Sequence, residues 1–244
     1  MHCISSTILH IVTPPVSDNV SYEKIIESIR HKPVTVGLFS RPGFGKTTLL
    51  IKMADMLTAK GEKACIISLE EGEMYIRKRC AMMNIDENKF TINDSVDQSF
   101  NDIRAFVSKQ SNISVIAIDY IQCLKAESAS LINKLASEFN VPVIYASHLC
   151  RYLDGEPYRR TEMEDVNKVG RYRPIPTTDL FISLWRPVNI YDHYDDPCYG
   201  WYETHDPFPE AALCALKSNV SGIPEGYIVN ALFDKKTASL MFED

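Results

Sequence analysis

The sequence predicts an α/β domain with a mostly parallel central sheet, because apolar segments of strand length alternate with segments of helical periodicity. Residues 34–39 (VTVGLF) and 113–121 (ISVIAIDYI) show this most clearly. Both are apolar almost throughout, which is typical of strands that helices cover on both faces. After residue 211 the apolar segments are joined by short turns rich in glycine and proline. This change predicts an antiparallel extension at the C-terminal end of the sheet.

The expected helices have apolar residues at three- and four-residue spacing and are bounded by residues that start or stop helices. Ser21 precedes the first and Pro33 follows it, while Gly61 is expected to end the second. The predicted helices are residues 21–32, 46–61, 73–84, 97–110 and 128–140. The predicted strands are residues 34–39, 63–70, 113–121, 141–148, 178–185, 211–219, 226–234 and 238–242.

The 244-residue chain is long enough for one sizeable hydrophobic core. Its 45% hydrophobic and 24% charged residues exclude a largely disordered or fibrous protein. We expect an N-terminal leader and helix at residues 1–32 and one domain at residues 33–244, with a variable surface loop at residues 189–210. The net charge of −6 indicates that any nucleic-acid contact is confined to a small basic patch or loop.

Cysteine usage predicts free thiols in a reducing cytoplasm, because the seven cysteines are scattered and no two form a C-x-x-C pair. The apolar N-terminal segment is interrupted by His10, Pro14 and Pro15. It is shorter than the roughly 20 apolar residues of a membrane helix, so we expect no membrane anchor.

The segment SRPGFGKTT, residues 40–48, nearly matches the phosphate-binding pattern G-x-x-x-x-G-K-[ST] and has Ser40 in place of the first glycine. Gly43 and Gly45 give the backbone freedom to wrap phosphates, Lys46 supplies a cation and Thr47 a hydroxyl for magnesium. The alternative is an ordinary strand-to-helix turn. The residues expected to bind the nucleotide are Ser40, Arg41, Pro42, Gly43, Phe44, Gly45, Lys46, Thr47 and Thr48.

Asp119 ends the apolar strand SVIAID. An acid at this point of a parallel sheet is placed to hold Mg²⁺ opposite Thr47, directly or through water. Together, the glycine-rich loop and this acid predict a magnesium-dependent nucleotide site.

Four segments, in the same order, resemble DnaB-type replicative helicases. SRPGFGKTT is similar to that family's loop, in which a small residue other than glycine precedes Arg-Pro. IISLEE resembles its Ser-Leu-Glu-Met strand end, IDYIQCL its Ile-Asp-Tyr-Leu-Gln-Leu, and VPVIYASHLCR its Val-Pro-Val-(apolar)-Ser-Gln-Leu-Asn-Arg. The resemblance covers about residues 34–244, the RecA-like P-loop ATPase domain, and the family's N-terminal partner-binding domain is expected to be missing.

The resemblance implies ATP and Mg²⁺ as ligands and gives roles to two further residues. Glu70 would polarise the attacking water; Glu71 is the alternative, and strand alternation places only one of the two on the site face. His148 stands where the family has a glutamine that senses the terminal phosphate. The alternative for His148 is an ordinary hydrogen-bonded side chain.

The sequence departs from the family near its C-terminal end. In the family's rings, a Lys-x-Arg pair from a neighbouring subunit completes each ATP site; this chain keeps Lys217 but has Asn219 at the arginine position. An arginine of this kind is worth about a thousandfold or more in turnover, so hydrolysis is expected to be slow.

DNA contacts are expected at two basic-aromatic patches, residues 158–160 (YRR) and 171–173 (RYR). The alternative is a solvated loop. The segment before the strand at residues 141–148 is shorter than in the helicases, where it includes a DNA-binding loop. The residues expected to contact DNA are Arg159, Arg160, Arg171 and Arg173.

Residues 189–210 are aromatic, acidic and rich in proline. His193, Cys198 and His205 suggest a metal site, but their spacing matches no zinc pattern. A surface loop that covers the end of the sheet or binds a partner is the preferred interpretation.

These observations predict a cytoplasmic, magnesium-dependent ATPase that resembles a helicase motor, forms a homo-oligomeric ring and acts on single-stranded DNA in replication. Lys46, Glu70, His148 and Lys217 are its expected catalytic residues. The alternative is an ATP-dependent switch or accessory protein on the same fold, which gates a protein partner without separating strands.

Overall fold

The structure is a computed structural model that describes residues 21–149, 161–172, 175–185, 210–234 and 239–242. Within these ranges the helices are α1 (Tyr22–Ile29), α2 (Lys46–Leu57), α3 (Glu73–Met82), α4 (Phe100–Ser108), α5 (Ala126–Leu131), α6 (Asn133–Phe139) and α7 (Met163–Tyr172). The strands are β1 (Thr35–Ser40), β2 (Lys63–Ser68), β3 (Phe90–Asn93), β4 (Ile113–Asp119), β5 (Val143–His148), β6 (Leu180–Trp185), β7 (Glu210–Ser218), β8 (Ile228–Asp234) and β9 (Ser239–Phe242).

The described strands form one sheet in the order β3-β2-β4-β5-β1-β6-β7-β8-β9. Strands β1 to β6 run parallel to one another, whereas the β6–β7, β7–β8 and β8–β9 pairs are antiparallel. The predicted fold class, a mostly parallel sheet with helices and an antiparallel C-terminal extension, is confirmed.

Strand register brings the site residues to one edge of the sheet. Ser40 of β1 is paired with His148 of β5, and Ser68 of β2 is paired with Asp119 of β4. After β1 the chain forms β2 to β5, which all lie on one side of β1, and then β6, which lies on the other side. The strand order therefore reverses at β1. Open α/β sheets bind ligands in the crevice at such a point.

The core has two parts, one on each face of the sheet. Val115 and Ala117 of β4 pack toward α2, whereas Ile116 and Ile118 pack with α4 and α6 on the opposite face. This alternation follows from the two-residue period of a strand and explains why β4 is apolar throughout.

Helix α1 shares the core of the sheet, since Ile25, Ile26 and Ile29 are almost fully buried in it. Its Tyr22 ring stacks on Phe242 of β9 with the ring centroids 3.7 Å apart. The first described helix and the last described strand therefore pack against each other.

Close approach within the sheet requires a glycine in β1. A Cβ atom at Gly37 would lie 2.6 Å from both the Phe39 ring and the Tyr145 hydroxyl. The Tyr145 hydroxyl instead fits against β1 and hydrogen-bonds the hydroxyl of Thr178 at 2.8 Å.

Several predicted elements differ from the structure. The helix expected at residues 128–140 is divided at Ile132, where the backbone makes three-residue hydrogen bonds in place of a continuous α-helical ladder. Helix α2 ends at Leu57 rather than near Gly61, which instead has a positive φ in the turn before β2. Strand β3 and helix α7 were not expected.

Two compositional expectations concern the described residues. The cysteines in the described ranges, Cys65, Cys80, Cys123 and Cys214, are not in disulfide bonds. Within the described ranges, no helix has both the length and the apolar character needed to cross a bilayer.

Candidate nucleotide-binding site

The glycine-rich loop, residues 40–48, joins the carboxyl end of β1 to the start of α2. Gly43 and Gly45 have φ values of 76° and 94°, which favour glycine over other residues. Apart from Gly43 and its two neighbours in the chain, no heavy atom of the described residues lies within 4 Å of a Cβ position at Gly43. The loop therefore leaves space above the amino end of a 12-residue helix, where backbone N–H groups favour an anion.

Lys46 is buried beneath the loop and is 5% exposed. Its amino group donates to the Arg41 carbonyl at 3.0 Å, the Ser40 hydroxyl at 3.2 Å and the Ser40 carbonyl at 3.4 Å. Burial lowers the pKa of Lys46 to about 8, partly opposed by the charges of Asp119 and Glu70. The serine in the place of the usual glycine thus contacts Lys46 directly.

Thr47 and Asp119 form the second polar contact of the site. The Thr47 hydroxyl donates to Asp119 Oδ2 at 2.7 Å. Asp119 is 1% exposed, and this burial raises its pKa to about 6, although the hydrogen bond from Thr47 opposes the shift. A buried carboxylate beside a hydroxyl is a donor set that suits Mg²⁺, because hard cations prefer oxygen ligands.

Glu70 and His148 face each other across the site. Glu70 Oε2 lies 3.8 Å from His148 Nε2, which is too long for a hydrogen bond. The interaction with His148 is the main cause that lowers the pKa of Glu70, and the charges of Lys46 and Arg79 act in the same direction. The Glu70 side chain is about half exposed, so its carboxylate is accessible to water.

His148 is held by its surroundings. Its ring makes an edge contact with Tyr120, with 4.3 Å between the ring centroids. Gln122 donates to the Ser147 hydroxyl at 2.6 Å and to the His148 carbonyl at 3.1 Å, which ties the segment after β4 to the end of β5. Among the described residues, the buried Nδ1 of His148 has no hydrogen-bond partner.

Glu71 differs from Glu70 in its contacts. Both of its carboxylate oxygens accept hydrogen bonds from Arg79 of α3, at 2.6 and 3.0 Å. A carboxylate in such a two-point pair is less available to orient a water molecule.

Lys217 and Asn219 do not join this site within one chain. Asn219 is exposed, and its N–H donates to the Asp179 carbonyl at 2.7 Å beside Thr35, the first residue of β1. The glycine-rich loop follows the last residue of β1. A contribution from Lys217 or Asn219 to this kind of site therefore requires a neighbouring copy.

The structure describes only one of the four predicted DNA-contact residues. Arg159, Arg160 and Arg173 lie outside the described residues, and Arg171 belongs to helix α7. His193, Cys198 and His205 also lie outside them. Within the described ranges, no group of three or more His, Cys, Asp or Glu residues is arranged to hold a metal ion.

Sequence reasoning assigned no role to Arg79, Tyr120 or Gln122, which all contact site residues or their supports. A role for Tyr120 and Gln122 could have been predicted, because both belong to the IDYIQ segment that contains Asp119. Arg79 gave no such signal, since its partner precedes the helix on which it lies.

The described residues have a RecA-like fold, with a glycine-rich loop of the P-loop type between β1 and α2. Residues 78–173 match the family model described as the DnaB-like helicase C terminal domain. The replicative DNA helicase DnaC of Bacillus subtilis (strain 168) is 26% identical over 200 residues, which cover 64% of this chain and 43% of the relative. The replicative DNA helicase DnaB of Geobacillus stearothermophilus is 27% identical over 191 residues, which cover 60% of this chain and 42% of the relative. The chain thus spans less than half the length of these relatives.

Solved structures agree on the fold. A DnaB-like replicative helicase, solved in a study of its interactions with primase, has a TM-score of 0.65 at 20% identity and covers 86% of this chain and 59% of its own. A KaiC-like protein, PH0186 from Pyrococcus horikoshii OT3, has a TM-score of 0.57 at 15% identity. The match covers 89% of this chain and 94% of the KaiC-like protein. The resemblance predicted from the motifs is confirmed: over residues 78–173 the chain is similar to the C-terminal domain of DnaB-like helicases, and replicative helicases are among its relatives.

Replacing Asp119 by asparagine is expected to stabilise the chain in the absence of metal. Because the folded pKa of about 6 exceeds that of an unfolded aspartate, stability is greatest when Asp119 is protonated and falls as the pH rises through about 6. Asp119→Asn removes this penalty, so its free energy of unfolding at pH 8 should exceed that of the parent by about 1 to 3 kcal/mol. Urea unfolding in EDTA at pH 8 and pH 4 measures the effect, which should shrink at pH 4. A variant less stable than the parent at pH 8 would contradict the account.

Proposed function

We propose that this chain is a magnesium-dependent ATPase motor domain that acts on single-stranded DNA in replication as part of a homo-oligomeric ring. The observation that carries the proposal is the convergence of Lys46, the Thr47–Asp119 pair, Glu70 and His148 at the carboxyl ends of four neighbouring strands. Phosphoryl transfer asks the protein mainly for position and charge, and these residues supply both.

The loop and the buried charges account for binding. Magnesium ATP, when bound, supplies the phosphoryl group and a divalent charge that offsets the charge of the phosphates. Lys46 would leave its carbonyl partners to compensate phosphate charge, and Thr47 and Asp119 would hold the metal. The amide groups at the start of α2 favour the same anion.

Glu70 would orient the attacking water. Its lowered pKa keeps the carboxylate ionised at neutral pH, and its exposure leaves the oxygens available to accept hydrogen bonds from water. His148 would sense the terminal phosphate by donating a hydrogen bond, because its ring is fixed by Tyr120 while its Nε2 faces the site.

DNA binding is proposed for Arg159, Arg160, Arg171 and Arg173. Support comes from the relatives, which are replicative DNA helicases by name, and from the position of these residues in the chain between the sensor His148 and β6. Arginine and aromatic side chains suit a phosphate backbone and stacked bases. The small size of these patches agrees with the acidic net charge of −6.

Assembly into a ring would place Lys217 of one copy near the ATP site of the next. A replication or accessory protein is the proposed partner, with support from the structural relative that was studied for its interactions with primase. A cytoplasmic location follows from the proposed role in replication.

A second candidate function is an ATP-dependent switch that gates a protein partner. The observation in its favour is Asn219, which offers no guanidinium to a neighbouring site. The two candidates differ in whether turnover responds to assembly and to single-stranded DNA.

Glu70→Gln is expected to keep binding of ATP and Mg²⁺ but to slow hydrolysis by about a hundredfold or more, since the amide has nearly the same shape but no negative charge to orient water. Steady-state phosphate release, with and without single-stranded DNA, measures turnover, and equilibrium titration measures binding. Glu87→Gln is the matched control, because its side chain is equally exposed and pairs with Arg77 away from the loop. Unchanged turnover in Glu70→Gln would remove Glu70 from the mechanism.

Asn219→Arg distinguishes the ring from the switch. In a ring, the new guanidinium would reach the neighbour's terminal phosphates and stabilise the charge that develops there, so turnover should rise with protein concentration. Ser221→Arg is the control, because it adds the same charge at another exposed position of the same turn. Turnover that is equal in Asn219→Arg and the parent at every concentration would favour the switch.

A further inference from the structure

Glu71 and Arg79 form a two-point ion pair next to the proposed catalytic acid. Arg79 Nη2 lies 2.6 Å from Glu71 Oε1, and Arg79 Nε lies 3.0 Å from Glu71 Oε2. Both side chains are only about one-quarter to one-third exposed. Parallel hydrogen bonds of this kind fix the orientation of both groups.

The backbone fixes both ends of this pair. The Ser68 hydroxyl donates to the Glu71 carbonyl at 2.5 Å, which holds Glu71 against the end of β2. Arg79 projects from α3, which is fixed in the core by the fully buried Ile76 and Cys80. The contact is therefore a defined feature of the turn between β2 and α3.

Arg79 also interacts electrostatically with two other carboxylates. The charges of Asp119 and Glu70 help to raise the pKa of Arg79, after its hydrogen bonds to Glu71, and Arg79 in turn helps to lower the pKa of Glu70. Asp119 is buried and accepts a hydrogen bond from Thr47. Glu70 directly precedes Glu71 in the chain and is half exposed, so it is the carboxylate that a released Arg79 would pair with.

We infer that Glu71 is a positioning residue that holds Arg79 and thereby keeps Glu70 free to orient the attacking water. This inference rests on the proposed ATPase function. A partly buried guanidinium is stabilised far more by a carboxylate than by a neutral acceptor, so replacing Glu71 by a neutral residue would transfer Arg79 to Glu70. A Glu70 carboxylate held by two N–H groups would have fewer lone pairs available for water.

The test compares Glu71→Gln, Arg79→Gln and the double variant. Glu71→Gln should lower kcat for ATP about tenfold or more with KM changed by less than about twofold, because the nucleotide contacts are intact. Adding Arg79→Gln should restore most of this loss, because the competing cation is gone. Such a rescue is not expected if the pair only stabilises the fold.

The matched control is Glu73→Gln on the same helix. Glu73 pairs with Arg77 at 2.5 Å, and Arg77 also faces Glu87, away from the glycine-rich loop. Its loss should leave kcat within about twofold of the parent, since surface pairs of this kind contribute little.

A second readout needs neither nucleotide nor metal. If Arg79 moves to Glu70, then Glu70→Gln should lower the urea midpoint more in the Glu71→Gln background than in the parent. Equal shifts in both backgrounds, or a double variant no more active than Glu71→Gln, would overturn the inference. A parent chain that does not hydrolyse ATP would overturn the proposed function, and the urea comparison would still decide whether Arg79 transfers.

Discussion

The burial of two opposite charges, Lys46 and Asp119, is the constraint on which the site depends. Neither makes a direct ion pair with the other: Lys46 is held by carbonyl and hydroxyl oxygens, and Asp119 by the Thr47 hydroxyl. Burial favours the neutral form of each side chain. It lowers the pKa of Lys46 to about 8 and raises the pKa of Asp119 to about 6. Buried charges of this kind are costly unless a partner compensates them, and a polyanion with a divalent cation compensates both.

Sheet topology is what brings these charges together. Because β1 lies between β5 and β6, the loop after β1 opens beside the end of β5 and near the end of β4. The register then aligns Ser40 with His148 and Ser68 with Asp119. Gly37 allows the Tyr145 side chain to pack against β1, so the β1–β5 pair on which this alignment rests depends on a residue without a side chain.

The parts of the fold that depend on local pattern were predictable. β1 and β4 are apolar because both of their faces are buried. The loop can be recognised in the sequence because the positive φ at positions 43 and 45 favours glycine. β3 was not found, because four residues of mixed burial give no clear period. α7 was not found, because its sequence MEDVNKVGRY is mostly polar and charged.

The site was predictable only where a residue's role follows from its place in a motif. The motifs pick out Lys46, Thr47 and Asp119, and the structure brings these three residues together. The sequence predicted that only one of Glu70 and Glu71 faces the site. It did not predict that Arg79, eight positions after Glu71, pairs with Glu71. Such a contact depends on how α3 packs against the sheet, which no periodicity reveals.

The most direct test of the account is equilibrium binding of ATP, in the presence of Mg²⁺, to the parent and to Lys46→Ala. The parent should bind and be stabilised against unfolding by the ligand, whereas Lys46→Ala should lose tight binding, because the buried amino group that offsets the phosphate charge is gone. Its secondary structure should be unchanged, since the removed amino group contacts only oxygens of the loop. A correctly folded Lys46→Ala variant that binds ATP as tightly as the parent would contradict the assignment of this site.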